Sequence, residues 1–168
     1  MIRPGAGLVA AGALLLALAV PAAAQRDETV DRAEIHALLM AYGSTLDAHD
    51  FDGFGALFAR DGVYAAGTGA QAHGGAEAAA MMRRIFETSP LGIAGPKYRV
   101  FFNELVDFDG PDRAHASAMS FYMVPGEDGR PVIAMMARYT DELVREDGRW
   151  RFARRRVTGL MPAPSQSR

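Results

Sequence analysis

The sequence contains no cysteine. This absence excludes a disulfide framework and a lipid-anchored lipoprotein, and it leaves zinc without its thiolate ligands. The fold must therefore be held by packing, for which a 49% hydrophobic composition is sufficient. His, Asp and Glu residues also form no cluster with metal-ligand spacing, so we predict no metal site.

A strong basic excess is lacking as well. The chain has 18 Lys and Arg against 20 Asp and Glu, a formal net charge of −2, whereas a nucleic-acid partner requires positive charge. The Gly- and Ala-rich stretch 65–75 has neither the Walker spacing nor a Gly-x-Gly-x-x-Gly context, which excludes a phosphate-binding loop. We predict a surface loop there, in which His73 is either solvated or a general base that covers a cavity.

The N-terminus has the three parts of a secretory signal peptide. Arg3 supplies the basic end, residues 8–20 form an uninterrupted run of small and apolar residues, and Pro21–Ala24 offers a cleavage site. Because this run is shorter than the roughly 20 residues that span a bilayer, we predict that residues 1–24 are cleaved rather than stably inserted in a membrane. The mature protein is then periplasmic or secreted.

Three helical patterns come next. Apolar residues at three- and four-residue steps predict a helix that ends at Asp47, with this carboxylate at the edge of the buried face; they are Ile35, Leu38, Leu39, Tyr42 and Leu46. A short helix containing Phe54, Leu57 and Phe58 follows, with Asp50 or Asp52 as its N-cap. Asp61-Gly62 then turns the chain into a strand at Val63. The third helix covers 77–88.

The rest of the chain alternates between strand patterns and turns rich in Asp and Gly. The strands are predicted at 98–108, 113–124, 131–146 and 149–159. Helices followed by long strands predict one α+β domain, residues 25–160, in which a curved mixed or antiparallel sheet wraps the three helices as a cone with a central pocket. Residues 161–168 are predicted to be a flexible tail.

Two segments resemble the SnoaL-like branch of the nuclear transport factor 2-like superfamily. One is the helix ending Tyr42-x4-Asp47 with the acidic-aromatic turn, Asp-Gly and Tyr64 after it. The other is Tyr139-Thr-Asp141 with the following strand pair, and the resemblance covers roughly 29–159. It implies the fold of scytalone dehydratase, steroid isomerase and dehydrochlorinase but leaves the reaction open, because this superfamily hosts many reactions and proteins with no known chemistry.

The resemblance implies a pocket lined by Tyr42, Asp47 and Tyr64. Asp47 occupies the position where relatives that transfer protons carry an acid. Burial raises the pKa of a carboxyl group, so that it can act as acid or base near neutral pH, and tyrosine hydroxyls can donate to a developing oxyanion. Such β-elimination or enolisation requires no cofactor.

Arg99 is the main departure from the family pattern. Many dehydratase-like relatives have a histidine four residues before the strand asparagine, which is Asn103 here, whereas this chain has Arg99. No Asp-His dyad is therefore expected at this site. Arg99 either binds an anionic group or an enolate, or it points outward and pairs with a surface acid. His36 and His115 are expected to be packed or exposed without a role.

Further residues are candidates for substrate binding. Tyr139 and Asp141 share one strand face, and Arg154 and Arg156 share one on the next strand. The resemblance implies that an arginine near Arg156 closes the pocket, whereas the alternative is a structural cross-strand pair. The predicted substrate-binding set is Asn103, Tyr139, Asp141, Arg156, Phe54 and Met136.

Three functions follow from these patterns. We favour an exported, cofactor-independent lyase or isomerase for a small, mostly apolar, oxygenated molecule, with Asp47 as acid or base, Tyr42 and Tyr64 as donors and Arg99 as an anion clamp. The alternatives are a binding protein that holds a hydrophobic ligand unchanged and a scaffold with a vestigial pocket. The resemblance also implies a homodimer, because open curved sheets of this superfamily often pair face to face.

Overall fold

The structure, a computed structural model, describes residues 28–88 and 98–160. The predicted signal peptide and tail lie outside the described residues. The helices are α1 (Glu28–Asp47), α2 (Phe51–Gly55) and α3 (Gly74–Thr88). The strands are β1 (Phe58–Ala65), β2 (Gln71–His73), β3 (Tyr98–Phe108), β4 (Arg113–Pro125), β5 (Pro131–Glu146) and β6 (Arg149–Gly159).

The sheet has the strand order β2-β1-β6-β5-β4-β3. All neighbours are antiparallel except β1 and β6, which are parallel, so the sheet is mixed. The predicted α+β fold is confirmed: the sheet is open, and the helices lie against its inner face as in a cone. Among the described helices, none is both long and apolar enough to cross a membrane.

Helix α1 packs against the inner face of the sheet through the predicted stripe. Ile35, Leu39 and Leu46 are almost completely buried. At Gly43 an added Cβ would lie 2.7 Å from Phe101 Cε2, so the glycine lets the helix approach β3 closely. This contact brings the end of α1, and with it Asp47, close to the start of β3.

The region after α1 differs from the prediction. Asp50 is the N-cap of α2, since its Oδ1 accepts a 2.8 Å hydrogen bond from the Gly53 amide. The helix nevertheless ends at Gly55, and β1 begins at Phe58 rather than Val63. The Asp61-Gly62 pair lies inside β1, where the register against β6 shifts. An added Cβ at Gly62 would lie 2.6 Å from the Phe152 carbonyl oxygen, so glycine is required by this bulge.

The predicted surface loop 65–75 is also wrong in part. Strand β2 pairs with β1 through a short hairpin, and α3 begins directly after it. His73 ends this strand with its side chain exposed, and its backbone amide donates to Glu77 Oε2 over 2.9 Å. Backbone pairing rather than apolar content holds this segment, which is why its composition gave no strand signal.

Small residues on the inner face of β4 make room for large ones on the other elements. Ala114, Ala116, Ala118 and Ser120 are all buried there. Opposite them lies an aromatic cluster, defined here as Tyr42, Phe54, Tyr64, Phe101, Tyr139 and Phe152. The cluster lines the inner side of the sheet, and its three tyrosines bring hydroxyl groups into the interior.

Candidate active site

Asp47, the last residue of α1, forms an ion pair with Arg99 on β3. The Arg99 Nη1 contacts Asp47 Oδ1, and the two side chains are 10% and 27% exposed. The guanidinium also lies 4.9 Å from the centre of the Tyr122 ring. Burial raises the pKa of the Asp47 carboxyl, while the charge and hydrogen bonds of Arg99 oppose this. Arg99 therefore faces inward, unlike the predicted outward alternative, and its partner is the candidate acid itself.

Two tyrosine hydroxyls meet deeper in the interior. The hydroxyl oxygens of Tyr42 and Tyr64 lie 3.2 Å apart, and both side chains are buried. Burial raises the pKa of both phenols, that of Tyr42 well above its usual value. Both groups are therefore neutral donors at physiological pH. The neighbouring Tyr139 bonds the Ser120 hydroxyl over 3.0 Å, and burial raises its pKa to about 12.

The deepest polar groups form a second ion pair. Arg155 Nη1 donates to Asp141 Oδ2 over 2.9 Å, and both side chains are completely buried. The Arg155 Cζ lies 4.0 Å from the ring centre of Tyr42, 4.3 Å from that of Tyr139 and 4.5 Å from that of Phe152. Burial raises the pKa of Asp141 to about 6, although Arg155 opposes this shift.

These groups belong to one electrostatic site. The positive charges of both Arg155 and Arg99 lower the pKa of Tyr42, which burial otherwise raises, and they do the same at Tyr64 and Tyr139. The arginines of both ion pairs therefore act on the same three phenols. The structure thus brings together four predicted catalytic residues and three predicted binding residues, Phe54, Tyr139 and Asp141.

Arg155, and not the predicted Arg156, is the β6 arginine that faces the interior. Strands β5 and β6 pair Glu142 with Arg154 but Leu143 with Phe152, so Ala153 is an extra residue that shifts the alternation. After this bulge Arg155 faces inward, while Arg156 lies exposed on the outer face. The placement predicted for Arg156 in the pocket is therefore wrong, because the bulge shifts the alternation along β6 and turns Arg155 inward instead.

Two other predicted binding residues also lie on the outer face. Asn103 occupies a bulge of β3 with φ of 53°, and its amide nitrogen lies 3.8 Å from the sulfur of Met119. Met136 lies between the inward-facing Met135 and Ala137, which places it outward opposite Phe121. Their predicted place in the pocket is therefore wrong.

Phe54 is completely buried in the aromatic cluster. Its ring centre lies 5.5 Å from that of Tyr42 and 5.6 Å from that of Tyr64. Phe54 therefore packs against the rings of both tyrosines. Its predicted contact with substrate stays a prediction.

Several interior residues were missed. Arg155 is hidden by the bulge, and its only sequence signal is the run of three arginines that contains it. Ser120 and Tyr122 continue the alternation of buried residues on β4 and could have been predicted from that pattern. The exposed His49, which follows α1 with a φ of 58°, also lowers the pKa of Asp47, and its ring centre lies 5.0 Å from that of Phe86.

The remaining histidines stay apart from this site. His36 is exposed and bonds Glu104 Oε2 over 2.8 Å, and His115 is exposed on the outer sheet face. Within residues 28–88 and 98–160, no group of three or more His, Asp or Glu is arranged to hold a metal ion. The outer face carries a depression of about 300 Å³, and the outward-facing residues that line it include Leu105, Asp107, His115, Glu142, Arg154 and Arg156.

An open mixed sheet lies over three helices, with an acid and tyrosines inside, and this is the fold of a solved nuclear transport factor 2-like protein. The SnoaL-like domain family matches residues 27–156. The chain belongs to this family. No curated protein matches it in sequence.

Solved structures with the same fold include three informative neighbours. A nuclear transport factor 2-like protein with a cystatin-like fold from Novosphingobium aromaticivorans is 24% identical, with a TM-score of 0.70 over 82% of this chain and 87% of its own. A candidate scytalone dehydratase from the same species is 20% identical, with a TM-score of 0.68 over 84% and 91%. A hexachlorocyclohexane dehydrochlorinase is 15% identical, with a TM-score of 0.69 over 83% and 93%.

Proposed function

We propose that the protein is an exported, cofactor-independent lyase or isomerase that moves a proton on a small, mostly apolar, oxygenated molecule. One observation carries this proposal: Asp47, with a pKa raised by burial, stands at the rim of an interior in which tyrosine hydroxyls are neutral donors. A carboxylate that removes a proton from carbon and a phenol that donates to the resulting oxyanion together stabilise an enolate-like transition state.

Arg99 has a defined part in this mechanism. Its positive charge and hydrogen bonds favour the ionised form of Asp47 and limit the rise of its pKa. Asp47 is therefore ready to accept a proton, and the positive charge beside it also favours an anion on the substrate. The family names of the structural neighbours, a scytalone dehydratase and a dehydrochlorinase, support elimination as the reaction class.

Deuterium exchange tests the role of Asp47 without a known substrate. The mature protein is incubated in heavy water with a panel of small cyclic ketones, enones, hydroxyketones and halides, and NMR detects exchange at carbon or elimination. We expect Asp47→Asn to lower the rate by about 10²- to 10⁴-fold, the usual contribution of a general acid or base. Asp52→Asn is the matched control, because this acid is 91% exposed and pairs with Arg83 instead.

If Asp47→Asn and Asp52→Asn work as well as the wild-type protein, Asp47 is not the catalytic base. A ligand that is held unchanged for long incubation times would then favour the second function, sequestration of a small molecule. The specific observation in favour of that function is that Asp47 already has a partner, Arg99, in the histidine's place.

Export and dimer formation complete the proposal. Export is supported by the basic end, apolar run and small-residue site of residues 1–24, and mass spectrometry of the exported protein should give an N-terminus at Gln25.

Dimer formation is supported by apolar side chains on β3 that are widely exposed, namely Tyr98 (63%), Val100 (48%) and Leu105 (65%). Light scattering of the wild-type protein should give twice the monomer mass. Leu105→Glu should lower the measured mass toward that of the monomer.

A further inference from the structure

The Arg155 guanidinium has donors that no described residue satisfies. A guanidinium carries five N–H groups, and Arg155 uses Nη1 for Asp141. Its Nε and Nη2 are buried and have no hydrogen-bond partner among the residues that the structure describes, and neither has Oδ1 of Asp141. Buried charged donors are rarely left without an acceptor in native proteins. These donors are therefore open to an acceptor from outside this part of the chain.

The Nε and Nη2 atoms of Arg155 are arranged so that they can bind one carboxylate together. Nε and Nη2 share one edge of the planar guanidinium, so that their N–H groups point the same way and match the two oxygens of a carboxylate. The rings of Tyr42, Tyr139 and Phe152 surround the group at 4.0 to 4.5 Å. These rings pack against the guanidinium, and its Nε–Nη2 edge has no hydrogen-bond partner among the described residues.

We propose that the Nε–Nη2 edge of Arg155 is a subsite for a carboxylate group of the ligand. This proposal rests on the proposed function, because it takes the same interior to be the ligand pocket. It adds the class of ligand: an oxygenated molecule with an acidic end that enters first, while its reacting carbon stays near Asp47 at the rim.

Charge balance gives this subsite a pH signature. Asp141 already neutralises Arg155, so a bound carboxylate adds a negative charge to a buried place. Asp141 is the group that can remove this charge, since burial raises its pKa to about 6 and its Oδ1 is without a partner. Binding is therefore expected to take up one proton and to strengthen by up to tenfold for each pH unit between pH 8 and pH 6.

The other ionisable groups around Arg155 do not supply this proton. They are Tyr42 on α1, Tyr64 on β1, Arg99 on β3, Tyr122 on β4 and Tyr139 on β5. Burial raises the pKa of each of these phenols, so all four stay protonated between pH 6 and pH 8. Asp47 is held by Arg99 at the rim.

The experiment uses benzoate as the probe and benzamide as its neutral analogue. The mature protein is labelled with ¹⁵N-arginine, and the Nε–H resonance of Arg155 is followed by NMR during titration. We expect benzoate to shift this resonance in a saturable way and to bind at least tenfold more tightly than benzamide. Equal effects of the two probes, or none, would overturn the subsite and assign the free edge to buried water.

Two variants distinguish a specific loss of benzoate binding from a general loss of folding. Arg155→Lys should weaken benzoate binding at least tenfold, whereas Arg154→Lys, on the outer face, should leave it unchanged. If Arg155→Lys fails to fold, Asp141→Asn takes its place: it keeps Arg155, and its benzoate affinity should lose the pH dependence. A pH dependence equal to that of the wild-type protein would contradict the proposal.

Failure of the carboxylate subsite can be distinguished from failure of the proposed lyase or isomerase activity. Benzoate binding that persists in Asp47→Asn, in the absence of any exchange by the wild-type protein, would support the subsite and overturn the lyase. Exchange that depends on Asp47 without any benzoate binding would overturn the subsite and support the lyase.

Discussion

Two aspartate–arginine pairs of the same composition occupy opposite ends of the interior. Asp47–Arg99 lies at the rim, with side chains 27% and 10% exposed, whereas Asp141–Arg155 is completely buried. In both pairs burial raises the pKa of the carboxyl and the arginine opposes it. Only the buried pair leaves polar atoms without partners among the described residues. Position, rather than residue type, therefore separates a group that can exchange protons with solvent from one suited to recognising charge.

Removal of the arginine should distinguish the pairs most strongly. We expect Arg155→Met to lower the free energy of unfolding by about 3–5 kcal/mol, because it leaves the Asp141 charge buried and unpaired. Arg99→Met should cost only about 1 kcal/mol or less, since Asp47 can contact water. Urea denaturation of both variants measures the difference. Equal losses would show that the buried pair is as well solvated as the rim pair.

The pH dependence of stability comes next. The pKa of Asp141 is about 6 in the folded protein and about 3.9 in an unfolded chain, so the folded state binds more protons between these values. The free energy of unfolding should therefore fall as pH rises from about 4 to 6, by up to about 3 kcal/mol from this group, and level off above.

Asp141→Asn should remove this contribution. The measurement is urea denaturation of both proteins at steps between pH 4 and pH 7, with the variant subtracted from the wild type. A difference that stays flat over this range would mean that Asp141 is ionised throughout. Asp61→Asn is a suitable control, because this acid is exposed on β1.

A smaller effect is expected from the hydroxyls between the two pairs. Tyr64→Phe removes the 3.2 Å contact with the Tyr42 hydroxyl and should lower the free energy of unfolding by about 0.5–1.5 kcal/mol. Thermal or urea denaturation measures this loss. No loss would indicate that Tyr42 finds another partner, such as water.

The subtlest test concerns the acidity of Asp47. Arg99 lowers the pKa of this carboxyl, so Arg99→Met should raise it further. A ¹³C NMR titration of the Asp47 carboxyl gives the two midpoints. Arg154→Met, which removes an outer-face charge paired with Glu142, should leave the midpoint in place. A midpoint that falls in Arg99→Met would contradict the assigned pairing.

The parts of the fold that were predictable repeat one pattern over many residues. Helix α1 and strands β3 to β6 are each eleven residues or longer, and the bounds of the four strands agree closely with the prediction. The parallel contact of β1 with β6 was not predictable, because it joins distant segments and depends on backbone hydrogen bonds.

The candidate site shows the same division. The helix pattern predicts that Tyr42 is buried and that Asp47 lies at the edge of the buried face, whereas the family resemblance implies that Tyr42, Asp47 and Tyr64 line the site. Asn103, Met136 and Arg156 were misplaced because a strand pattern does not tell inside from outside once a bulge intervenes. The extra residues at Asn103 and Ala153 have no composition signal of their own.

The run Arg154–Arg156 makes the interior cation tolerant of insertions and deletions. With the bulge at Ala153, Arg155 faces Asp141; in a β6 of unbroken alternation, Arg154 and Arg156 would face inward instead. Loss of Ala153 by deletion would straighten the strand and keep Arg155 inside. With the bulge, with unbroken alternation or after deletion of Ala153, an arginine faces inward toward Asp141. This end of β6 can therefore change in length during evolution without leaving the buried acid unpaired.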